Sequence, residues 1–378
     1  MTGADYSDKG ATPDTPAAAR ATKPQMAAPT EPHVRVWAVA SYRAGENSQI
    51  FGLVSRLPVE SAVKRLRYRS IAGAVGIARA VSRVGIDRAA SDEVAPPWPD
   101  LIVSAGVKNE PVCRWIRAQS GGRTRLVFLG RTWTRRSVFD LVVTTPQYRL
   151  PSGPNVVQNL MTQHGITREK LAAARERFAE QFAELPAPRL TVLLGGDSGP
   201  FVFGPLAATE LAHAINRLLG PRGGSALVTS SARTRGDAID ALEANLKVPV
   251  HLHRFRSGAH DNPYLGMLAH ADEVIVTSDS IAMLSEAAAT GRLVHIFRVR
   301  PAGAPGADET AKSRAYALLM RFGPERLSRD LTRFHQAFIA AGHGVWLGDP
   351  PHAPRGGAVL EAEQTAARVM ALLPRSAP

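Results

Sequence analysis

The fold class predicted by this sequence is α/β, with two parallel-sheet domains of similar size, and three observations predict it. The first is length: 378 residues exceed one ordinary core, and two domains of about 150 residues are expected. The second is order. From Val34 onward, short apolar runs of strand length alternate with helical stretches, the pattern of a parallel sheet covered on both faces. The third is the short proline stretch "PAPR" at 186–189, which divides that alternation into two series.

Residues 1–32 are rich in Ala, Pro and Thr and nearly lack large apolar side chains, which predicts a disordered tail. It has no apolar run for secretion, and Asp5, Asp8, Asp14 and Glu31 are unlike an acidic-poor transit peptide. An N-terminal domain is expected over 33–166. It opens with the strand "VRVWAVA" (34–40), the polar loop "SYRAGENSQ" (41–49) and a short helix. "VKRLRYR" (63–69) is a charged edge-strand candidate, and "PDLIVSAG" (99–106) is a buried strand ending in a turn. The helix "NEPVCRWIRAQS" (109–120) and the strands "TRLVFLG" (124–130) and "FDLVVTT" (139–145) follow.

"TREKLAAARERFAEQFAEL" (167–185) predicts an amphipathic helix with Thr167 as N-cap, so a helix and proline linker is placed over 167–188. The C-terminal domain, 189–350, carries the strands "LTVLLGG" (190–196), "SALVTSS" (225–231), "VPVHLHRF" (248–255), "DEVIVTS" (272–278) and "LVHIF" (293–297). Between them lie the helices "LAATELAHAINRLLG", "RGDAIDALEANL", "NPYLGMLAHA" and "IAMLSEAAAT". Helices near 311–322, 328–341 and 360–373 close it, one of them a candidate to pack back across the linker. Residues 351–378 are assigned to a C-terminal helix and tail.

Composition narrows the function. No uncharged apolar run approaches the roughly 20 residues of a membrane span. The single cysteine, Cys113, excludes disulfides within the chain and thiolate metal sites, and fits a cytoplasmic setting. His251 and His253 share one strand face without a third ligand in register, so they are read as packing residues and no metal is expected. The net charge is +13, and seven arginines with no acid lie between Pro111 and Phe139. A second cluster is Lys64, Arg65, Arg67 and Arg69. Such a face suits anionic lipid or a phosphorylated small molecule; nucleic acid is set aside because no recognition motif accompanies the charge. A solvated basic surface is an equally good reading.

In open parallel sheets, ligands bind beyond the carboxyl ends of strands, so the loops after strands are the candidates. "LLGGDSGP" (193–200) leaves its strand through Gly195 and Gly196, followed by Asp197 and Ser198; its amides could nest a phosphate, or form only a tight turn. In "TSSARTR" (229–235), Ser230 and Ser231 are candidate helix caps, and Arg233 suits a diphosphate. In "HDNPYLGM" (260–267), Asp261 or Asn262 before Pro263 is a good helix start, with a base or sugar contact as an added role. In "TSDSIAMLSEAAATG" (277–291), Asp279 or Ser280 caps a helix whose amides favour an anion. Glu286 either faces solvent or receives the vicinal hydroxyls of a ribose. Glu46, in "SYRAGENSQ", is the general-base candidate of the first half, with helix capping as the plainer reading. No P-loop, GxSxG or HExxH is present.

"ADEVIVTSDSIAMLSEAAATG" (271–291) resembles the nucleotide-sugar segment of GT-B glycosyltransferases of the peptidoglycan lipid-intermediate type. That resemblance implies two Rossmann-like domains facing each other across a cleft, with Glu286 on the donor ribose and Gly195, Gly196 and Ser198 near the diphosphate. The chain departs from the pattern at Ser280, where Gly is usual, at Met283, where Thr is common, and in lacking a Gly-Gly-His signature in the first domain. The ordered strings "AGENSQ", "PDLIVSAG", "FDLVVTTPQYRLP", "GGDSGP", "SARTR" and "DNPYLGMLAHADEVIVTSDSIAMLSEA" resemble the bacterial branch of the mitochondrial-fission "elongated mitochondria" family.

Together these imply a GT-B-like protein with a nucleotide sugar as substrate, no tightly bound cofactor, and an anionic or lipid-linked acceptor. A cytoplasmic protein, peripheral at the inner face of the membrane, is the matching location. The alternative is a non-catalytic scaffold that binds a membrane surface or a protein partner. A nicotinamide-dependent epimerase would need a glycine fingerprint after the first strand, which "SYRAGEN" does not supply. The oligomeric state, the sugar and the acceptor are left open by the residues.

Overall fold

A computed structural model describes residues 34–257, 261–324, 328–353 and 358–373; the tail expected over 1–32 lies outside them. The first sheet contains β1 (Val36–Ala40), β2 (Ser61–Arg65), β3 (Leu101–Ala105), β4 (Arg125–Leu129), β5 (Leu141–Thr144) and β6 (Val156–Gln158). Its order is β2-β1-β3-β4-β5-β6, all parallel. β1 and β3 are buried at every position, as continuous apolar runs covered on both faces must be, whereas the charged β2 lies at an exposed edge. Helices α1 (Ala44–Val54), α2 (Ala72–Ile77) and α3 (Glu110–Gln119) connect these strands.

The second sheet contains β7 (Arg189–Leu193), β8 (Ser225–Thr229), β9 (Val250–His253), β10 (Glu273–Thr277), β11 (Leu293–Phe297) and β12 (Gly344–Trp346). It is also wholly parallel, in the order β12-β11-β10-β7-β8-β9. The helices after the first sheet are α4 (Arg168–Arg177), α5 (Pro205–Leu219), α6 (Gly236–Asn245), α7 (Tyr264–His270), α8 (Ile281–Ala288), α9 (Ala311–Phe322), α10 (Leu331–Ala340) and α11 (Ala358–Met370). Two doubly wound Rossmann-like sheets of this kind are the GT-B-like architecture expected from the sequence. In each sheet the chain first runs to one side and then returns to the other. The reversal lies between β1 and β3 in the first sheet and between β7 and β10 in the second.

Four elements differ from the expectation. The helix predicted over 167–185 keeps Thr167 as a side-chain N-cap but ends at Arg177. Beyond it, Phe178 and the tight turn Glu180–Phe182 drop two rings into a cluster with Leu227 and Met267, and bare Gly266 makes room for Phe178. Burying both rings outweighs prolonging an exposed helix. The loop expected at 41–49 is already helical from Ala44, which puts Glu46 in the first turn of α1. β6 and β12 have three residues each, too short for periodicity to reveal. In keeping with the expectation that one C-terminal helix packs back across the linker, α11 returns to the first sheet, where its Ala366 and Val369, and Leu373 just beyond it, join Leu53 and Leu57 in the core.

Two buried histidines set a pH dependence. His164 and His335 are 1% and 5% exposed, and burial pushes both down to about 4 from the ordinary 6.5. For each, the unfolded chain binds a proton that the folded one refuses. Their contribution is therefore complete above about pH 6.5 and is lost as the pH falls toward 4. The buried carboxyls of Glu110 and Glu286 are shifted upward by burial and act in the opposite sense, weakening as the pH rises through their raised values. Urea midpoints measured at pH 7 and pH 4.5 should fall in acid, and should fall less in His164→Gln and His335→Gln. A midpoint unchanged in the parent protein contradicts this.

Candidate ligand-binding site at the two switch points

The loop after β7 enters the switch point beside β10, and its amides are already committed. Gly195 N donates to Thr277 Oγ1 at 2.8 Å and Gly196 N to Asp279 Oδ2 at 2.9 Å. Asp197 N donates to the Arg233 carbonyl at 3.3 Å, and Ser198 N to that of Phe201 at 2.9 Å. Asp279 is buried; its Oδ1 accepts from Thr277 Oγ1 at 2.7 Å, and its Oδ2 pairs with Arg233 Nη1 at 3.1 Å. Arg233 also donates to the Asp197 carbonyl at 3.0 Å, and Ser231 Oγ donates to that of Gly195. A side chain at Gly195 would run into the Asp279 carboxylate.

The structure thus brings Gly195, Gly196, Asp197, Ser231, Arg233 and Asp279 together, but with Asp279 as the anion that the loop holds. The open phosphate nest anticipated from the glycines is replaced by an internal lock. Asp279 does not cap α8, and Ser280, at the N-cap position, makes no side-chain capping bond. Ser231 does not cap α6, whose N-cap is Arg235. The cause is common to these differences: a buried carboxylate needs several donors, and the loop supplies them. Partial desolvation raises the pKa of Asp197 from its ordinary value.

Glu286 is half-buried and bonded at both oxygens. Its Oε1 accepts from Ser48 Oγ of α1 at 2.5 Å, and its Oε2 accepts from the Tyr264 hydroxyl. Burial raises its pKa against the pull of these two bonds, and burial together with the Glu286 charge raises that of Tyr264. Asn262 acts as a local cap, accepting from Tyr264 N at 3.0 Å at the start of α7. The neighbouring Ser285 accepts from Thr162 N at 3.0 Å. The helices that leave the two switch points, α1 and α8, therefore meet through Ser48 and Glu286.

At the β1/β3 switch point, Ser41 Oγ donates to Glu46 Oε2 and Arg43 Nη1 donates to Glu46 Oε1 at 3.3 Å. Gly106, at φ +90°, closes against the same carboxylate: a Cβ there would lie 2.5 Å from Glu46 Oε2. Buried Asn109 braces this end of the sheet through the Val39 and Ala40 carbonyls, both at 3.1 Å.

Residues outside the site candidates read from the sequence join the two switch points, Arg131 among them from the arginine-rich stretch. Arg329 Nη2 donates to Ser198 Oγ at 2.9 Å; its side chain also bonds Tyr148 and lies within electrostatic reach of Glu46. Arg131 donates to the Ser328 carbonyl and sits 5.5 Å from the centre of the Tyr148 ring. Tyr148 belongs to the loop after β5, so the carboxyl-end rule covered it. Arg329 follows no strand and carried no signal.

The arginine-rich stretch is not a free basic face. Five of its seven arginines donate to their own chain: Arg114 to Arg79 O, Arg117 to Val138 O and Asp140, Arg125 to Asp140, Arg131 to Ser328 O and Arg136 to Pro151 O. Cys113 is a buried core residue whose thiol burial pushes up to about 12. His251 packs edge-on against Phe182, 5.2 Å between ring centres. Among the described residues no group of three or more His, Cys, Asp or Glu could hold a metal, and no helix is long and apolar enough to cross a membrane.

Known proteins resemble the chain as follows. The model of a family described as "Mitochondrial fission ELM1" matches residues 44–371. The mitochondrial fission protein ELM1 of Arabidopsis thaliana is 25% identical over 238 residues, 56% of this chain and 54% of the plant protein. The match thus spans about half the length of that relative. An uncharacterised protein of Rickettsia prowazekii is 22% identical over 296 residues, 70% of this chain and 83% of the other. Among solved structures, MurG of Acinetobacter baumannii aligns over 90% of this chain and 92% of its own, with a TM-score of 0.41 and 12% identity.

Proposed function

We propose that this chain, which belongs to the mitochondrial fission ELM1 family, binds a nucleotide sugar in the crevice between the carboxyl ends of its two sheets. The observation that carries the reading is the meeting of the two switch points. Each is lined by polar loops, and the helices leaving them touch through Ser48 and Glu286. A switch point is where an open parallel sheet takes a ligand, so two of them joined in this way suit a ligand with two chemically distinct ends. Glu286 is the carboxylate for the ribose. Each of its oxygens accepts one bond within the chain and retains acceptor capacity for one of two vicinal hydroxyls.

Glu46 is the base for the hydroxyl of an anionic or lipid-linked acceptor, and glycosyl transfer is the reaction this arrangement supports. A thermal-shift screen with UDP, GDP, ADP and their sugars should raise the unfolding temperature for at least one nucleotide family. No shift with any of them, for well-folded protein, removes the reading.

A second reading, a non-catalytic scaffold, is favoured by one observation: Asp279 and Glu286 both already hold this chain's own elements together. Such a scaffold at the inner face of a membrane would co-sediment with anionic vesicles with or without nucleotide. Glu286→Gln would leave that binding unchanged.

A further inference from the structure

We infer that the phosphoryl end of the ligand is held by a site between the sheets, made of Arg131, Arg149, Arg329, Tyr148, Tyr316 and Ser198, and not by the glycine loop. The identity of the ligand rests on the nucleotide-sugar reading; the chemistry of the site calls for a phosphate or diphosphate in its own right.

The six residues converge from the carboxyl ends of three strands and from the segment around α9 and α10. Arg131 follows β4 after Gly130, Tyr148 and Arg149 lie in the turn after β5, and Ser198 lies in the loop after β7. Tyr316 is on α9, and Arg329 stands just before α10. Arg329 bonds Ser198 from one sheet and Tyr148 from the other. Both tyrosine rings lie on bare backbone: a Cβ at Gly130 would be 3.3 Å from Tyr148, and one at Gly199 would be 2.8 Å from Tyr316. The rings thus stand close over the loops and fix the guanidinium beside them.

Two further features single out the turn after β5. Arg149, which ends the turn Pro146–Tyr148, adopts φ +53°, a left-handed conformation that costs a non-glycine residue about 1 kcal/mol or more. Thr144 Oγ1 and Gln147 Oε1, on residues each 2% exposed, have no hydrogen-bond partner.

Charge points the same way. Asp330 is shared by Arg149 and Arg333, each at 3.6 Å, and Glu46 is taken by Arg43 at 3.3 Å. Arg329, bonded to Ser198, and Arg131, beside the Tyr148 ring, stand in the same group. Burial lowers the pKa of Arg131, and the Arg329 and Arg149 charges lower it further, so like charges crowd one another here. A phosphoryl group relieves that crowding through bidentate bonds. At the glycine loop the same group would meet the Asp279 carboxylate and amides already in use.

The test is calorimetry on the full chain with inorganic pyrophosphate and with UDP, each at low and at raised salt. The parent protein should bind pyrophosphate, more weakly as salt rises. Arg329→Gln and Arg131→Gln should each weaken pyrophosphate and UDP at least tenfold, whereas Arg123→Gln, on the exposed side, should change neither. Urea midpoints verify folding; should Arg329→Gln unfold, Arg131→Gln and Arg149→Gln carry the same comparison. Absence of pyrophosphate binding, or binding within twofold of the parent in the folded arginine variants, overturns the site. UDP binding that ignores these arginines sinks the site and leaves the nucleotide reading standing. Arginine-dependent pyrophosphate binding without any nucleotide binding does the reverse.

Discussion

Asp279→Ala should destabilise the protein by about 3 kcal/mol, because it leaves the buried Gly196 amide without an acceptor and dissolves the lock on the glycine loop. Three groups converge on this carboxylate: Gly196 N, Thr277 Oγ1 and Arg233 Nη1. The buried amide pays the largest part, since an unmatched donor away from water costs about 1–3 kcal/mol. Arg233 contributes less; its side chain is 42% exposed, and water replaces the lost partner. Asp279→Asn keeps an acceptor for Gly196 and should cost about 1 kcal/mol. Urea unfolding of the two variants gives this ordering. Equal and small losses would show that the carboxylate is not what holds the loop.

Gly52→Ala should cost about 3 kcal/mol, the upper end of what overpacking a core costs. Gly52 lies in α1, and a Cβ there would stand 2.5 Å, 2.7 Å and 2.8 Å from the backbone C, Cα and O of His164. Those are main-chain atoms, so no side chain can swing aside. Arg56 binds the carbonyls of both Gly52 and His164 and fixes the contact from the flank. Because α1 also carries Glu46 and Ser48, a shift of this helix should weaken ligand binding along with stability. Gly73→Ala in α2 is the matched control: nothing lies within 4 Å of its Cβ position, and alanine there should be neutral or stabilising by about 0.5–1 kcal/mol. A urea midpoint for Gly52→Ala as high as that of the control would contradict the packing assigned to α1.

The alternation of apolar strands with helices revealed the two sheets because parallel strands buried on both faces leave long, unmistakable runs such as 36–40 and 101–105. It could not reveal β6 or β12, where three residues contain no period. The glycines after β7 and the acid after β10 were both visible, but not that they bind each other, since 83 residues separate Gly196 from Asp279. A capping residue and a buried lock look alike in sequence: both are an acid after a strand and before a helix. Glu286 was found from its helix, yet its partners Ser48 and Tyr264 come from two other elements. Arg329 was illegible because its importance lies wholly in what the fold brings to it: Ser198 from one sheet and Tyr148 from the other.

The most direct measurement of the central claim is calorimetric titration of the parent protein and Glu286→Gln with UDP and with its 2′-deoxy analogue. If Glu286 receives the ribose between the two halves, the parent should prefer UDP by roughly tenfold, about 1.4 kcal/mol. Glu286→Gln should then bind UDP more weakly and lose most of that preference. Equal affinity of the parent for both nucleotides, or a preference that survives in Glu286→Gln, would contradict the account.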